Sequence, residues 1–599
     1  MNPRAFPLKA FCLNVRRLET SVKQHFKALA PHRKSREKIL RAYAGSLYPG
    51  RAHRKEIINL LRQAVEAQTI TLAANNPRCL VTTHDARLRG FAEHMGRAVD
   101  RYSARMHLQE TLEDFARNAF FGLGIAKVCM SDSSAVVMEA DEWMDPGYPA
   151  CLNVSQDHFV WDSSATEMRG IAFAADRYRV RFQDVVDDVR FDSKVRKALK
   201  EKGPECFRSQ SEGAASISST DESTEDHEDY LWLADVFLPK DGKIYTFPVD
   251  GAFGFTYQTP ISEVMWDGSE SGPYHYLNLG PVPDNCYPSA PGLALKLLHE
   301  LVNSNYKKLE DQAKLQKEIN LVVSSNVDDG EKIRKEPNGG YVVVTNANAV
   351  IPSRFGGPDQ NLFSFTLNAI DQFKVGAGNL ENQLGQGAQA DTLGQEQMIG
   401  AAVGTIKGFF QARFGSAVEK IMREIARLLW QDQLTSIPGS HTIPGTRITV
   451  DDSWLGALEE DSRPTKIVKD SDGNEQEVPA DFDDFDVMID PYSMRYQSPE
   501  QRSGRIRATF QEIVAGAPIF ATQGVQPDAM AYLTKLSRYE NMPEYLELVT
   551  ANNPPVDMGQ GGGAGHQAQK EYVHRSVSSG GGNPGQQQAQ MMSAPGDAA

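Results

Sequence analysis

The sequence predicts an α+β chain that is mainly helical, and three observations predict it. Residues 293–317 and 392–432 carry apolar residues at helical spacing over long stretches. A strand-rich block at 231–280 turns at Asp241-Gly242. A second strand-like block, 446–490, turns at Asp472-Gly473-Asn474. With 599 residues, the chain has room for about four domains at ~150 residues each.

The first elements follow in order. Lys55–Ala73 has no Gly or Pro and places Ile58, Leu61, Val65 and Ile70 roughly on one face. Leu88–Phe121 repeats Met95, Val99, Tyr102, Met106, Leu112 and Phe115 near helical period, and Gly122-Leu123-Gly124 ends it. Ile125–Met130 and Ala135–Met138 read as short strands around a Ser-Asp-Ser-Ser turn. Phe159-Val160-Trp161 reads as a strand and Phe182–Lys202 as one charged surface helix. Residues 209–230 are Ser-rich and acidic without Arg or Lys, and are expected to be a mobile loop.

Pro288–Pro291 punctuates the chain before the helix 293–317, with the stripe Leu293, Leu297, Leu298, Leu301, Tyr306, Leu309 and Ala313. A strand pair is expected at Ile319–Ser324 and Tyr341–Val344, linked by the charged stretch Asp328–Glu336. Residues 361–375 read as helix, and Gly376–Gln389 is Gly/Gln/Asn-rich with Glu381 as its only charge. Thr392–Asp432 then repeats apolar residues at 399, 403, 406, 410, 414, 417, 421, 425 and 428. Gly400, Gly404, Gly408 and Gly415 in it point to a kink or a close neighbour. Residues 498–515 and 527–551 read as helices, and 554–599 as a disordered Gly/Gln tail.

Composition excludes several classes. No apolar run reaches the ~18–20 residues of a membrane helix. A net charge of −15 argues against a protein that coats DNA, because non-specific binding rests on many Lys/Arg–phosphate contacts. The six cysteines show no C-x-x-C spacing and read as free thiols in a reducing compartment. Residues 1–55 are basic, with Glu19 and Glu37 their only acids. This resembles a transit peptide in charge, but the basicity runs through Lys55 in stretches that read as ordinary helices.

Tests for chemistry are mostly negative. There is no Walker A loop, and Gly242-Lys243 belongs to a hairpin turn. Gly122-x-Gly124 precedes a strand where a dinucleotide fingerprint needs a helix. No HxH, HExxH or GxSxG occurs. The acids Asp481, Asp483, Asp484 and Asp486 invite a divalent cation, but lack the glycine and terminal Glu of an EF-hand. A solvated acidic face beside a strand accounts for them. No cofactor is expected and no enzyme is indicated.

Four segments, in order, resemble bacteriophage portal proteins, the head-to-tail connectors of tailed double-stranded DNA phages. They are AFFGLGIAKV (119–128), LNVSQDHFVWDSSATEM (152–168), the proline-led VPDNCYPSAPGLALKLLHELVNSNYKKLEDQAKLQK (282–317), and GAGNLENQLGQGAQADTLGQEQM (376–398). The similarity is one of arrangement and covers roughly residues 35–550. It implies a self-assembled ring, normally a dodecamer, at the unique capsid vertex of a virion assembled in the host bacterial cytoplasm. Double-stranded DNA would pass through it during packaging and ejection. The implied partners are the terminase large subunit, a tail adaptor, and the major capsid and scaffolding proteins, with no membrane.

On this mapping, 1–34 is a basic N-terminal segment. Residues 35–292 form a wing holding the mobile acidic loop 209–230. Residues 293–317 are a stem helix, 318–358 a clip, 359–375 a second stem helix and 376–393 a tunnel loop. Residues 394–490 are the long helix and wing strands, 491–553 a crown and 554–599 the tail. Asn379, Asn382, Gln383, Gln386 and Gln389 are the candidate DNA-channel residues, because amides reach phosphate oxygens without adding charge. Glu331, Lys332, Arg334 and Lys335 are the candidate terminase and adaptor contacts at the clip tip, where mixed charge suits an exchangeable partner. Two alternatives stand beside this: a virion or head–tail adaptor protein without a DNA channel, and a metal-dependent hydrolase using the acids at 481–486.

Overall fold

The computed structural model describes residues 14–45, 57–131, 137–139, 142–144, 147–203, 229–251, 253–322, 327–336, 343, 350–378, 393–431, 436–442, 449–455, 464–469, 475–490, 493–494, 499–517, 532–533 and 536. The chain is a mixed α+β protein with antiparallel sheets. It divides into two compact units, one holding residues 1–498 and 521–526, the other 499–520 and 527–599. No helix among the described residues is long and apolar enough to cross a membrane.

The first unit contains a helical core. Helices α1 (Val15–Ala28), α2 (Ala30–Ala44), α3 (Leu60–Ala73), α4 (Arg89–Arg105) and α5 (Leu108–Phe120) open it. The Asn59 side chain caps α3 by accepting from Arg62 N, so the helix starts at Leu60 and not at Lys55. The predicted block 88–121 is two helices, because His107 takes a left-handed φ of 51° between them.

Strand β1 (Cys79–Thr83) pairs antiparallel with a distant strand, Phe485–Ile489, matching Cys79 to Ile489. That distant strand buries Phe485, Val487 and Ile489 and exposes Asp486 and Met488, as one covered face requires. The long helix Leu393–Gln431 is continuous. Its Phe414, Ala417, Val418, Ile421, Met422, Ile425, Ala426, Leu429 and Trp430 are buried in the same core. The rings of Phe91, Trp430 and Phe485 lie 5.5–5.6 Å apart and join α4, the long helix and this strand. This half of the long helix is thus covered by its own chain. Its glycines do not mark a tight contact there: a Cβ at Gly408 meets nothing within 4 Å, and one at Gly415 only touches Ile489 at 4.0 Å.

A second core lies on an antiparallel sheet. Strands β2 (Gly124–Ser131), β3 (Val137–Glu139), β4 (Glu142–Met144), β5 (Tyr148–Asn153), β6 (Phe159–Trp161) and β7 (Ala174–Arg181) come first. They are followed by β8 (Tyr230–Leu238), β9 (Lys243–Asp250), β10 (Gly254–Phe255), β11 (Ser262–Met265) and β12 (Tyr274–Leu277). The main sheet runs β10-β9-β8-β7-β6, with β11 also on β9, and β12-β2-β5 form a second sheet. The β8–β9 hairpin closes as the sequence predicts, with Gly242 at φ 61°. Val22 of α1 and Leu29 beyond it are buried in this core, so the described part of the basic N-terminal segment packs onto the sheet.

The expected single helix 182–202 is two, α6 (Phe182–Asp187) and α7 (Ser193–Lys202). The Asp192 carboxylate takes the amides of Lys194 and Val195, and that cap starts α7 afresh. Cys79, Cys129, Cys151 and Cys286 are free thiols.

From Pro291 the chain makes an excursion and returns. Helix α8 (Pro291–Lys314) leads to β13 (Lys317–Val322), helix α9 (Val327–Lys335), β14 (Val350–Phe355) and helix α10 (Gln360–Gly376). Strand β14 pairs antiparallel with β13, and of the return strand expected at 341–344 all but Val343 lie outside the described residues. Pro352, opposite Asn320, is tolerated because both strands of a two-stranded sheet are edges. Helices α8 and α10 run antiparallel. Asp359 N donates to Gln312 Oε1 at one end, and Gly376 packs near Leu295 at the other.

The buried line on α8 is Leu295, His299, Val302, Asn305 and Leu309. The predicted stripe is right in part: Leu309 is buried and Leu298 and Tyr306 pack on the core, but Leu293, Leu297 and Leu301 face outward, Leu297 being 62% exposed. On α10, Thr366, Ala369 and Phe373 are buried while Phe363, Phe365, Leu367 and Val375 are exposed.

In the sequence after β14, strand pairs 436–442/449–455 and 465–469/475–479 complete the described sheets of the first unit. The second unit, by itself, has a helix at Pro499–Ala515, with Phe510 stacked on Tyr532 at 3.9 Å.

Candidate functional site

Glu331, Lys332, Arg334 and Lys335, the expected docking residues, all lie on α9, a short helix inserted between the paired strands β13 and β14. Its first turn carries Asp328 and Asp329, its last turn Lys332, Arg334 and Lys335. This polarity matches the helix dipole, which favours acids at the N-terminus and cations at the C-terminus. Lys335 pairs with Glu331 at 3.5 Å, both exposed. Lys332 reaches Asp329 at 3.3 Å, and the Asp329 side chain is only 4% exposed. Arg334 is exposed. The helix thus presents Glu331, Lys332, Arg334 and Lys335 to solvent on a two-stranded arm.

The expected channel residues Asn379, Asn382, Gln383, Gln386 and Gln389 lie outside the described residues. The described chain enters that segment at the end of α10, where Gly378 takes φ 82°, and leaves it at Leu393, the first residue of the long helix.

The acidic cluster is engaged by basic and backbone groups. Asp481 caps a short 3-10 turn, and Asp484 accepts from Asp481 N and, on both oxygens, from Lys466 Nζ at 2.6 Å. Burial lifts the Asp484 pKa, but these hydrogen bonds outweigh it and hold the carboxyl below its ordinary value. Asp483 faces Arg423 at 3.5 Å and Arg427 at 3.9 Å, and Asp486 faces His84 at 3.8 Å. Among the described residues no group of three or more His, Cys, Asp or Glu is placed to hold a metal ion.

Three polar clusters escape sequence reading because their members are far apart in the chain. Lys127 on β2 is buried between Asp176 on β7 (2.9 Å) and Asp235 on β8 (2.6 Å). Tyr274 OH donates to Asp176, while Tyr178 OH and Thr246 Oγ1 donate to Asp235. Burial opposes the Lys127 charge, yet the two carboxylates hold its pKa well above the lysine value. The group fastens the sheet β12-β2-β5 to the main sheet.

Arg36 on α2 is buried against Asp157 at 2.5 Å and also donates to Asn118. His25 on α1 has Ser163 Oγ 2.8 Å from Nδ1 and Asp162 3.7 Å from Nε2. Ser163 N also donates to Nδ1, and Asp162 accepts from the Ser164 and Ala172 amides. The His25 group therefore pins α1 to the turn after β6. Both arrangements anchor the basic N-terminal helices to the sheet.

No protein-family model matches this chain, and no curated protein is significantly similar to it.

Proposed function

We propose that the chain is the subunit of a portal ring, a structural assembly at a capsid vertex through which double-stranded DNA passes and on which terminase and a tail adaptor dock. The observation that carries this reading is the α8–β13–α9–β14–α10 excursion. Two antiparallel helices make a stalk, a two-stranded arm with a charged helix extends from it, and the chain returns into one long helix. That order is the stem, clip, stem and wing-helix order implied by the resemblance.

The stalk also leaves apolar rows uncovered. Leu293, Leu297 and Leu301 recur every four residues on α8, and Phe363 and Leu367 do so on α10. Exposed apolar area of this kind marks an association surface, and adjacent copies in a closed ring would cover it. The net charge of −15 per chain suits a channel that must release DNA, because each neutralised phosphate strengthens retention.

Electron microscopy and native mass spectrometry of the purified protein test the reading. A closed ring with a central hole of duplex width supports it. A closed ring with no such hole makes the chain an adaptor. A single-chain mass alone at micromolar concentration overturns both.

A further inference from the structure

The basic N-terminal helices differ in charge from the rest of the chain. Residues 14–45 hold nine Lys and Arg against two acids, Glu19 and Glu37, so the span carries +7 in a chain of −15. Helices α1 and α2 form one nearly continuous rod. Leu29 between them keeps right-handed helical angles, and Leu29 N donates to His25 O while Arg33 N donates to Leu29 O, each four residues back. Val22, Leu29 and Arg36, seven residues apart, are its buried line. Arg36 on Asp157 and His25 on Ser163 fasten the rod in place.

Arg16, Lys23, Lys27, Lys34, Lys38 and Arg41 are all exposed and follow one another at steps of 7, 4, 7, 4 and 3 residues. At 3.6 residues per turn these steps keep all six within about 60° of one another, so they form one stripe. The stripe is roughly 38 Å long at ~1.5 Å per residue, with a cation about every 7–8 Å. Lys23 pairs with Glu19 and Arg41 with Glu37, both surface contacts one helical turn apart that contribute little. Arg16, Lys27, Lys34 and Lys38 have no ion pair among the described residues. Asp250 of β9 is a further acid in the groove beside Lys23 and Lys27. Among the described residues, no large apolar or aromatic side chain of the rod is exposed.

We propose that this stripe is a docking face for double-stranded DNA, which it holds through the phosphates alone. A row of cations on a fixed rod suits a row of phosphates, and a duplex offers one charge per ~1.7 Å of axis. A duplex is also stiff, with a persistence length of about 50 nm, so it stays straight along the stripe and meets the cations together. Single strands are held by stacking their bases on aromatic side chains, and protein partners by apolar and aromatic anchors. This face presents neither. The acidic remainder of the chain repels DNA and keeps the contact weak and dependent on salt. The stripe lies outside residues 376–393, the proposed channel segment, and needs no second copy, so it stands or falls apart from the ring.

The experiment uses the full chain in whatever assembly it forms. Fluorescence anisotropy follows binding of a labelled duplex of about 20 base pairs between about 50 and 200 mM salt. With about five phosphates engaged, log K should fall against log salt with a slope of about −4 to −5. The informative variant is Lys34→Gln/Lys38→Gln, at two exposed side chains without ion pairs, so its unfolding midpoint should match the parent. It should reduce the slope by about 2 and weaken binding about 10-fold or more at the lowest salt. Arg89→Gln/Arg101→Gln makes the same charge change at exposed positions on α4 and should have little effect. An equal loss in that control shows attraction to the whole chain and overturns the proposal. So does a duplex that fails to bind at the lowest salt. Tighter binding of a single strand of the same length, or of polyglutamate, also overturns it and gives the stripe to that partner.

Discussion

Replacing Lys127 by Met isolates the contribution of the buried Lys127–Asp176–Asp235 group. The variant keeps the aliphatic volume and deletes the ammonium, and with it two short charge-assisted contacts of 2.9 and 2.6 Å. Asp176 and Asp235 then remain buried near each other with no cation. Breaking a buried pair by removing one partner costs about 3–5 kcal/mol, because the remaining charge is uncompensated. Tyr274, Tyr178 and Thr246 still donate to the carboxylates, which places the expected loss at the lower end, about 3 kcal/mol.

The loss should depend on pH in one direction. Burial already raises the Asp176 pKa against the pull of Lys127, and without the lysine it rises further. A carboxyl raised in the folded state binds its proton more tightly there than in the unfolded chain, so folding is favoured as pH falls through the folded value. The deficit of Lys127→Met should therefore shrink as pH falls from neutral toward the ordinary carboxylate range. Urea unfolding followed by tryptophan fluorescence measures it, since Trp161 and Trp232 report on this core. A deficit under about 1 kcal/mol, the level of an ordinary surface pair, or one that does not shrink in acid, would refute the account.

Three further predictions can be checked. Leu297→Lys should leave the unfolding midpoint of the single chain within about 0.5 kcal/mol, because Leu297 is 62% exposed. It should abolish the ring in native mass spectra, and intact rings would remove α8 from the subunit interface. Reversing Lys332 and Lys335 to Glu should slow terminase association at low salt with little effect at high salt, since exposed charges act mainly on the on-rate. Unchanged kinetics at both salt levels would take α9 out of the docking surface. Glu424 is buried, and burial lifts its pKa to about 6 against the pull of Arg427. A carboxyl raised in the fold costs stability above its unfolded value, so Glu424→Gln should gain about 2 kcal/mol above pH 6 and nothing below about pH 4.5. Denaturant midpoints across that range test the sign.

Local signals in the sequence carry the local elements. Asp241-Gly242 marks the β8–β9 hairpin because a left-handed turn residue is chemically distinctive. The long helix shows its period because one face meets a thick core. The phase of α8 shows only in part, through Leu298, Tyr306 and Leu309, since its sequence holds two apolar lines and only packing brings Leu295 and Val302 inward in place of Leu293, Leu297 and Leu301. The break before α7 is hidden because Asp192 reads as a surface charge until its carboxylate is seen on two amides. The strand Val350–Phe355 escapes the sequence because Pro352 argues against a strand there. The α9 charges were legible as a group, but the helix that displays them was not. The Lys127 cluster is illegible: Lys127, Asp176 and Asp235 come from three separate strands, and only the fold brings them together.

The pairing of β1 with Phe485–Ile489 sets a timetable for synthesis. Strand β1 leaves the ribosome long before its partner, with about 400 residues still to be added, which takes roughly 20–80 s at typical rates. Through that interval the helical core lacks both the strand that closes it and the half of the long helix that fills it. A nascent chain would hold an open strand edge at Cys79–Thr83 beside other chains emerging from the same message. Completion of the core near residue 489 thus acts as a clock, and the first unit can finish folding only when most of the chain has been made.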